Sequence, residues 1–478
     1  MAGRYRWWWV VALVASSGFL SGGYCSYRGY YTPGSSRGNG TQYSNGPINR
    51  FGSVVIDGSE YATTAVSVTL DGLIGSTASL RVGQIALLTG TPARGTAAGT
   101  ASSLVVTTKL VGPVTALDLA AATVTVLGQT VRITGDTSVG AGVAPTDPAG
   151  LLYGQIVAVD GYRTSGGLIA SRFDAAAGTP LLRISGRVSQ LNGAAQTFDI
   201  GGTTVNYLGV VGGLPPAVSN GSYVIASGSS VGGTATLNAT QVASQPEAIA
   251  GRSGSGGALH GAVTRFATAA DFDVAGQPVS TSSATAYSGG LAADLGGDAE
   301  LQIAGQYDAT GTLAATLVTF VPATPFRLVG SVDRIDTTAR TFTVAGVALA
   351  VADASRWDDR SSAASRTFTY GELRTGDWLE VRGAATGAAA ASARVVERRV
   401  APVAALIELQ DVVAGLADPA LTLAGVAVDT RGATFRDVDG LPLTRSQFFA
   451  AASGRIVRAR GALAGAATLV ATVVALRN

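Results

Sequence analysis

Three side chains near the middle of the sequence have the types and the order of a serine hydrolase triad. Ser230 lies in Gly228-Ser-Ser-Val-Gly232, which matches the G-x-S-x-G pattern of a nucleophile elbow, and Glu247 and His260 follow as acid and base. An elbow needs a strand that turns sharply into a helix. Ser230 instead follows one predicted strand and precedes a β-like stretch at 234–242, so the pattern predicts a tight turn. A serine hydrolase that uses Ser230 and His260 is therefore kept as an alternative function.

His260 is the only histidine of the chain, so any histidine-dependent acid–base chemistry must use it. It directly precedes Gly261 at a predicted strand start, which indicates a residue at the edge of a barrel. We therefore predict a protein that is not an enzyme and has no catalytic residues.

Two acidic pairs could hold a cation. Asp437-Val-Asp-Gly440 has carboxylates two apart before a glycine, as calcium loops do, but the third acidic ligand and the distal Glu of such a loop are missing. Asp358 and Asp359 form a comparable pair. Cys25 is the only cysteine, which excludes a disulfide framework and a thiolate metal site. We expect solvated turns at these aspartates, with no metal and no cofactor.

Aromatic and basic residues could form a binding surface. Barrels of the OB type bind nucleic acid through aromatic stacking and a basic groove, and this chain offers Tyr207, Tyr223, Trp357, Tyr370, Trp378, Arg455, Arg458 and Arg460. The net charge is only +2, which argues against nucleic acid as a partner. We interpret these aromatic residues mainly as core or rim residues. Trp357 and Trp378 are the candidate contacts for an extended ligand, such as an envelope glycan, a peptide or a protein.

A sequence segment that recurs six times indicates the fold that positions these residues. This Gly-to-Gly segment has six residues between its ends and occupies 83–90, 154–161, 221–228, 298–305, 376–383 and 454–461; only Asp298 replaces a terminal glycine. The third and fifth residues after the opening position are apolar in every copy, whereas the fourth and sixth vary freely. Alternation with period two predicts a strand with one buried face and one solvent face on a small antiparallel sheet.

Other strand patterns surround each Gly-to-Gly segment in a constant order. Three strands and then a short helical stretch precede the segment, the segment itself is the fourth strand, and a fifth strand follows it. This is the order of an OB-like five-stranded barrel. We expect an all-β chain of six tandem small OB-like five-stranded β-barrel repeats. The predicted repeats cover 50–110, 111–178, 180–246, 259–323, 326–400 and 402–478, with a Gly/Ser linker at 247–258 as an internal hinge.

The first 49 residues predict export. Residues 1–23 have two arginines, a short apolar core and small residues before a cleavage site after Gly23, as a signal peptide does. Cys25 is the candidate lipidation site, although the residues before it depart from a lipidation box, and an uncleaved leader is a third option. Residues 24–49 predict a flexible low-complexity linker. The expected location is periplasmic or at the cell surface, with membrane attachment only through the leader.

Several stretches of the chain resemble a known family. Asn49-Arg-Phe-Gly-Ser-Val-Val-Ile-Asp-Gly58, Val66-Ser-Val68 with Thr69-Leu-Asp-Gly72, and Ser79-Leu-Arg-Val-Gly-Gln84 are similar to repeats of the bacterial envelope family called domain of unknown function 5666. The resemblance covers nearly the whole chain after residue 48. It implies an exported protein of tandem small β domains and supplies no catalytic residues. We therefore predict a non-enzymatic binding or spacer module at the cell envelope, with a serine hydrolase or single-stranded nucleic-acid binding as alternatives.

Overall fold

A computed structural model describes residues 40–92, 98–140, 143, 153–164, 166–176, 178, 181–232, 235–245, 249–404, 406–465 and 468–477. The regular secondary structure of these residues is almost entirely β strand, which confirms the all-β prediction. For description, the strands are divided into regions 1 to 6, at 42–106, 110–175, 182–244, 256–320, 326–399 and 407–477.

The strands follow in chain order. Region 1 contains β1 (Gln42–Arg50), β2 (Val54–Ile56), β3 (Ser59–Ala62), β4 (Ser67–Leu70), β5 (Leu73–Gly75), β6 (Ile85–Thr91) and β7 (Gly99–Val106). Region 2 contains β8 (Leu110–Asp118), β9 (Thr123–Val126), β10 (Gln129–Arg132), β11 (Ser138–Val139), β12 (Ile156–Thr164) and β13 (Gly167–Ala175). Region 3 contains β14 (Leu182–Arg187), β15 (Ser189–Asn192), β16 (Thr197–Ile200), β17 (Thr203–Asn206), β18 (Tyr223–Gly232) and β19 (Thr236–Ser244).

The second half continues in the same way. Region 4 contains β20 (Gly256–Thr268), β21 (Asp271–Val274), β22 (Gln277–Ser280), β23 (Ala286–Ser288), β24 (Glu300–Tyr307) and β25 (Leu313–Phe320). Region 5 contains β26 (Phe326–Asp336), β27 (Thr341–Val344), β28 (Val347–Arg360), β29 (Trp378–Gly387) and β30 (Ala390–Arg399). Region 6 contains β31 (Ile407–Ala417), β32 (Ala420–Leu423), β33 (Val426–Asp429), β34 (Thr434–Arg436), β35 (Pro442–Leu443), α1 (Arg445–Ala451), β36 (Ile456–Ala464) and β37 (Thr468–Arg477). Short 3-10 helices lie at Thr77–Ser79, Ala292–Asp294 and Tyr370–Glu372.

Region 2 is a closed five-stranded barrel. β8, β9, β10, β13 and β12 pair in that order, and β12 pairs with β8 again. Within this cycle of five strands, only the contact between β10 and β13 is parallel, and the short β11 also pairs in parallel with β13 outside the cycle. Closure removes the open sheet edges of the barrel and buries one face of every strand.

The same cycle of strand pairings recurs in regions 1, 4, 5 and 6. In region 5, for example, β26, β27, β28, β30 and β29 pair in turn, and β29 pairs with β26. Regions 1, 4 and 6 repeat this order. In region 3 the first strand is divided at Val188 into β14, which pairs with β18, and β15, which pairs with β16.

Strand pairing also joins the regions to one another, between consecutive regions in two cases and between the distant regions 1 and 4 in the third. β1 pairs in parallel with β20, so regions 1 and 4 share a 13-stranded sheet. β8 pairs with β14, and β26 pairs with β31, which gives two 12-stranded sheets. One apolar core spans regions 2 and 3, and another spans regions 5 and 6.

The two ends of the Gly-to-Gly segment are glycine for different reasons. The opening residue has a positive φ in all six copies, from 66° at Asp298 to 91° at Gly221. Glycine adopts this conformation without strain, and aspartate tolerates it better than most residues, which explains the one exception. The closing glycine lies at a β-bulge, where a Cβ would collide with a carbonyl oxygen of the facing strand, as Gly383 would with Ser392.

The predicted linker at 24–49 ends earlier than expected. Residues 42–49 belong to β1, and Gln42 and Ser44 are buried. This stretch lacks a run of aliphatic residues, yet it is a strand because β6 and β20 pair with its two edges and the Ser44 hydroxyl hydrogen-bonds to that of Tyr61 at 2.8 Å. The signal peptide and the rest of the linker lie outside the described residues.

The predicted hinge at 247–258 is packed where it is described. Ile249 belongs to the apolar core of region 4. A Cβ on Gly251 would overlap the ring of Tyr307, and Gly256 begins β20 opposite Gln42. Glycine serves here for close approach of the backbone to a ring, so the interpretation of residues 249–257 as an open hinge is wrong.

Candidate functional site

Ser230 does not lie at a nucleophile elbow. Its backbone belongs to β18 opposite Asn238 of β19, so the strand is followed by an antiparallel strand rather than by a helix. The tight turn predicted at Ser230 is therefore wrong. Glu247, the proposed acid, and Cys25, the candidate lipidation site, lie outside the described residues.

His260 lies inside the molecule where regions 1, 2 and 4 meet. Its side chain is 2% exposed, with Nδ1 2.9 Å from Asp57 Oδ1 and Nε2 2.8 Å from Glu300 Oε1. Gln302 donates to the same Asp57 oxygen, and the Tyr162 ring stacks on the imidazole with centroids 5.6 Å apart. We call these five residues the histidine cluster. His260 is thus a link between three regions and not an exposed residue at a barrel edge.

The histidine cluster holds a buried positive charge between two carboxylates. Burial disfavours the imidazolium, but the charge of Asp57 and the hydrogen bonds to Asp57 and Glu300 outweigh burial and raise the pKa of His260 to about 9. Burial acts against the charged form of Glu300 as well, yet the hydrogen bond and charge of His260 lower its pKa to about 2. Because both ring nitrogens are bound to carboxylates, the cluster is suited to joining regions and not to proton transfer with a substrate.

Both candidate ligand contacts are core residues. Trp357 is 4% exposed and Trp378 is 7% exposed. The ring of Trp357 packs edge-to-face against Phe368 and Tyr370, with centroids 5.5 and 6.3 Å apart. Contact of Trp357 and Trp378 with an extended ligand stays a prediction, and it requires a rearrangement that exposes one of the rings.

The other aromatic residues considered for base stacking are also engaged within the protein. Tyr207 is buried in the core of regions 2 and 3. The half-buried Tyr223 hydroxyl lies 3.3 Å from Ser185 Oγ, and the half-buried Tyr370 hydroxyl donates to the Asp336 carbonyl at 2.8 Å. These placements agree with the interpretation of the aromatic residues as core or rim residues.

The two acidic pairs form internal contacts. Asp437 Oδ1 accepts hydrogen bonds from the N–H groups of Asp439 and Leu441, at 3.0 and 2.8 Å. Asp358 and Asp359 lie in β28, and the buried Asp359 pairs with Arg398 at 2.5 Å, so the solvated turn expected at this pair is wrong. Within the described residues, no group of three or more His, Cys, Asp and Glu side chains could hold a metal ion.

Region 5 contains a buried charge network that the sequence analysis missed. Glu380, Glu397 and Arg382 are at most 1% exposed. Arg382 pairs with Glu397 at 2.5 Å and with Glu380 at 3.3 Å, and Arg327 pairs with Glu380 at 2.8 Å. Burial acts against the charged form of Glu380, but the arginines hold the pKa of its carboxyl well below its usual range. Glu380 and Arg382 occupy the face that period two assigned to solvent, and the neighbouring barrels bury it.

A cleft of about 140 Å³ opens beside this network, at the junction of regions 2, 5 and 6. Its walls contain four arginines and several apolar side chains: Leu119, Ala122, Ile133, Thr134, Gly135, Thr324, Pro325, Phe326, Arg327, Arg382, Gln410, Ile456, Arg458 and Arg477. The sequence singled out only Arg458 among these residues. The others come from three regions distant in sequence, so no local pattern indicates the cleft.

Comparisons with known proteins identify the repeat. Within the described part of the chain, no helix combines the length and the apolar character needed to cross a membrane. A search of curated proteins gave no match. The family model of the domain of unknown function (DUF5666) matches residues 111–173, 260–319 and 329–397, and each match contains one Gly-to-Gly segment and the strand cycle of region 2, 4 or 5. The chain therefore contains three matches to this domain of unknown function, as a repeat protein of the domain would.

Proposed function

We propose that this protein is an exported, non-enzymatic binding protein of the bacterial cell envelope, made of six OB-like five-stranded barrels. Support for the barrel type comes from the strand order, in which the first strand pairs with the second and fourth, and the third pairs in parallel with the fifth. This is the order of an OB-fold barrel. The helical turn before the fourth strand, as at Thr77–Ser79 and Tyr370–Glu372, is a further shared element.

The observation that carries the choice of a binding protein over a spacer is the parallel pairing of β1 with β20. A spacer gains reach when its units follow one another end to end. Here the first region lies beside the fourth, which shortens the molecule and brings distant segments together. Such an arrangement builds composite surfaces, on which binding sites depend.

The non-enzymatic part of the proposal rests on how polar groups are used. The single histidine is bound on both nitrogens, and Glu380 and Glu397 are paired with arginines in the interior. These groups join strands and regions. The backbone of Ser230 lies in β18 of region 3.

Two measurements test the proposal. Fractionation of bacteria that produce the full chain should recover it in the periplasmic or envelope fraction, and recovery in the cytoplasm alone would contradict export. A thermal-shift screen of the exported protein should use envelope oligosaccharides, single-stranded DNA and ester substrates in parallel. A ligand at a hundred times its dissociation constant stabilises its protein by about 2.7 kcal/mol. A shift with oligosaccharides supports the proposal. A shift with DNA alone, or release of hydrolysis product from an ester, would replace the proposal by one of the two alternatives.

A further inference from the structure

The cleft between regions 2, 5 and 6 is lined by positively charged side chains, and their negatively charged partners lie outside its lining. Four arginines line it, and no acidic side chain does. Glu380 and Glu397, which pair with the arginines, have no exposed surface and lie behind the wall. The third carboxylate that pairs with these arginines, Glu408, is 24% exposed but is not part of the described lining. The cleft is therefore lined by cations and not by their anionic partners, so its field favours a negative ligand.

The arginine at the mouth of the cleft is held in position. Arg458 Nε donates to Gln410 Oε1 at 3.0 Å, and Gln410 Nε2 donates to the Pro325 carbonyl at 3.1 Å. On the inner wall, Arg327 is fixed by Glu380 and by Glu408, at 2.8 and 2.6 Å. Guanidinium groups that are fixed before binding lose little side-chain entropy when they bind an oxyanion.

The size and the remaining wall limit the ligand. A volume of about 140 Å³ accommodates one small charged group but not a nucleotide cofactor. Leu119, Ile133 and Ile456 supply apolar surface beside the arginines. A carboxylate or phosphate carried on a sugar ring fits both features, because the oxyanion pairs with guanidinium groups while the C–H face of the ring contacts apolar side chains.

We propose that this cleft binds one carboxylate or phosphate group of an acidic glycan, with Arg458 and Arg327 as its cationic contacts. The inference rests on the proposed binding function and names the class of ligand. Glucuronate and inorganic phosphate are suitable probes, since they separate the two oxyanions, and glucose is the neutral control.

Isothermal titration of the full chain with these three probes tests the proposal. We expect saturable binding of glucuronate or phosphate, no binding of glucose, and an affinity that falls with added salt. Arg458→Gln should weaken binding at least tenfold, because a charge-assisted hydrogen bond contributes about 1.5–3 kcal/mol. Arg334→Gln is the matched control, since Arg334 is a 76% exposed arginine whose ion-pair partner is Asp336.

A second variant guards against loss of folding in Arg458→Gln. Thr134→Asp places a carboxylate on the part of the cleft lining that region 2 supplies. This variant should abolish binding of either anion while the thermal midpoint stays within a few degrees of the parent. Absence of saturable binding to both anions, or unchanged affinity in both variants, would overturn the proposal. A protein that binds neutral envelope glycans but neither anion would keep the proposed function and lose this assignment of the cleft.

Discussion

His260 joins three regions through one charge that is fully buried and bound on both sides. The sequence placed it near a strand start, and it does lie in β20. Its partners could not be predicted, because Asp57 belongs to region 1 and Tyr162 to region 2. Substitution of either carboxylate would leave one N–H of the buried imidazolium without its hydrogen-bond acceptor, while the other carboxylate still compensates the charge.

The histidine cluster should make stability depend on pH. The pKa of His260 rises from 6.5 to about 9 on folding, so its contribution is fully present below pH 6.5 and is lost as the pH rises through 9. The loss should be about 3 kcal/mol. Glu300 acts in the opposite direction, since its contribution is present above pH 4.5 and is lost as the pH falls through about 2.

Urea unfolding of the wild type and of His260→Gln, at pH 6 and pH 9.5, measures this effect. The wild type should be more stable than the variant at pH 6, and the difference between them should shrink by about 3 kcal/mol at pH 9.5. A difference that stays constant across this range would show that the imidazole is not charged in the folded protein.

Asp160 should behave as a destabilising residue at neutral and alkaline pH. Burial, with added repulsion from Asp174 and Asp71, raises the pKa of Asp160 to about 7, and its Oδ1 has no hydrogen-bond partner among the residues that the structure describes. Since the pKa lies above its unfolded value of 3.8, the cost to folding is absent below pH 3.8, grows as the pH rises and is complete above pH 7.

Asp160→Asn removes this cost. We expect the variant to be more stable than the wild type by up to about 4 kcal/mol at pH 8, and no more stable at pH 3.5. Chemical denaturation at the two pH values makes the comparison. Equal stability of the two proteins at pH 8 would contradict the raised pKa.

The Gly-to-Gly segment shows which elements the sequence predicts well. Alternation of apolar residues and turn glycines are local signals, so the fourth strand of each cycle and the hairpins before it were predictable. β1 was not, because its stability comes from β6 and β20 and not from its own aliphatic content. The charged face of β29 was assigned to solvent for the same reason, since the segments that cover it are distant in sequence.

A pair of alanine substitutions in one strand tests the role of the closing glycine. Gly383→Ala should lower the free energy of unfolding by about 2–3 kcal/mol, because the new Cβ would collide with the Ser392 carbonyl. Gly387→Ala is the matched control at the end of β29, where a Cβ meets nothing within 4 Å, and it should change stability by less than about 0.5 kcal/mol. Equal effects in thermal unfolding would refute the explanation of the motif.

Arginine side chains hold the regions together across the whole molecule. Arg172 donates from region 2 to the Val82 carbonyl of region 1 at 2.7 Å, and Arg382 and Arg356 donate from region 5 to the carbonyls of Thr137 and Asp136. A guanidinium is planar and more weakly hydrated than an ammonium, so it can be buried against several carbonyls at once. The excess of arginine over the single lysine thus has a structural use in this chain.

Removal of one such contact should loosen region 1 from region 5. Arg366 Nη2 donates to the Thr77 carbonyl at 2.8 Å, and its guanidinium lies 4.6 Å from the centre of the Phe51 ring. Arg366→Ala should remove about 1–3 kcal/mol of interaction free energy between the two regions. In differential scanning calorimetry, the variant should therefore show a new early unfolding transition, or an existing early transition at a lower temperature. Arg334→Ala, which removes an exposed arginine from the same region, should leave the profile unchanged; identical profiles for the two variants would contradict the role of Arg366.

The parallel pairing of β1 with β20 also sets an order of folding. Regions 2 and 3 pair with their neighbours in sequence, so both can form inside the long loop of chain that separates the two strands. β1 must wait with an open edge until β20 is available, and an open edge is where wrong pairing and aggregation begin. The last step in refolding of the full chain, the pairing of β1 with β20, should therefore be slow. Before this step β1 is less prone to misassembly than an aliphatic strand would be, because it is polar and contains serine and glutamine.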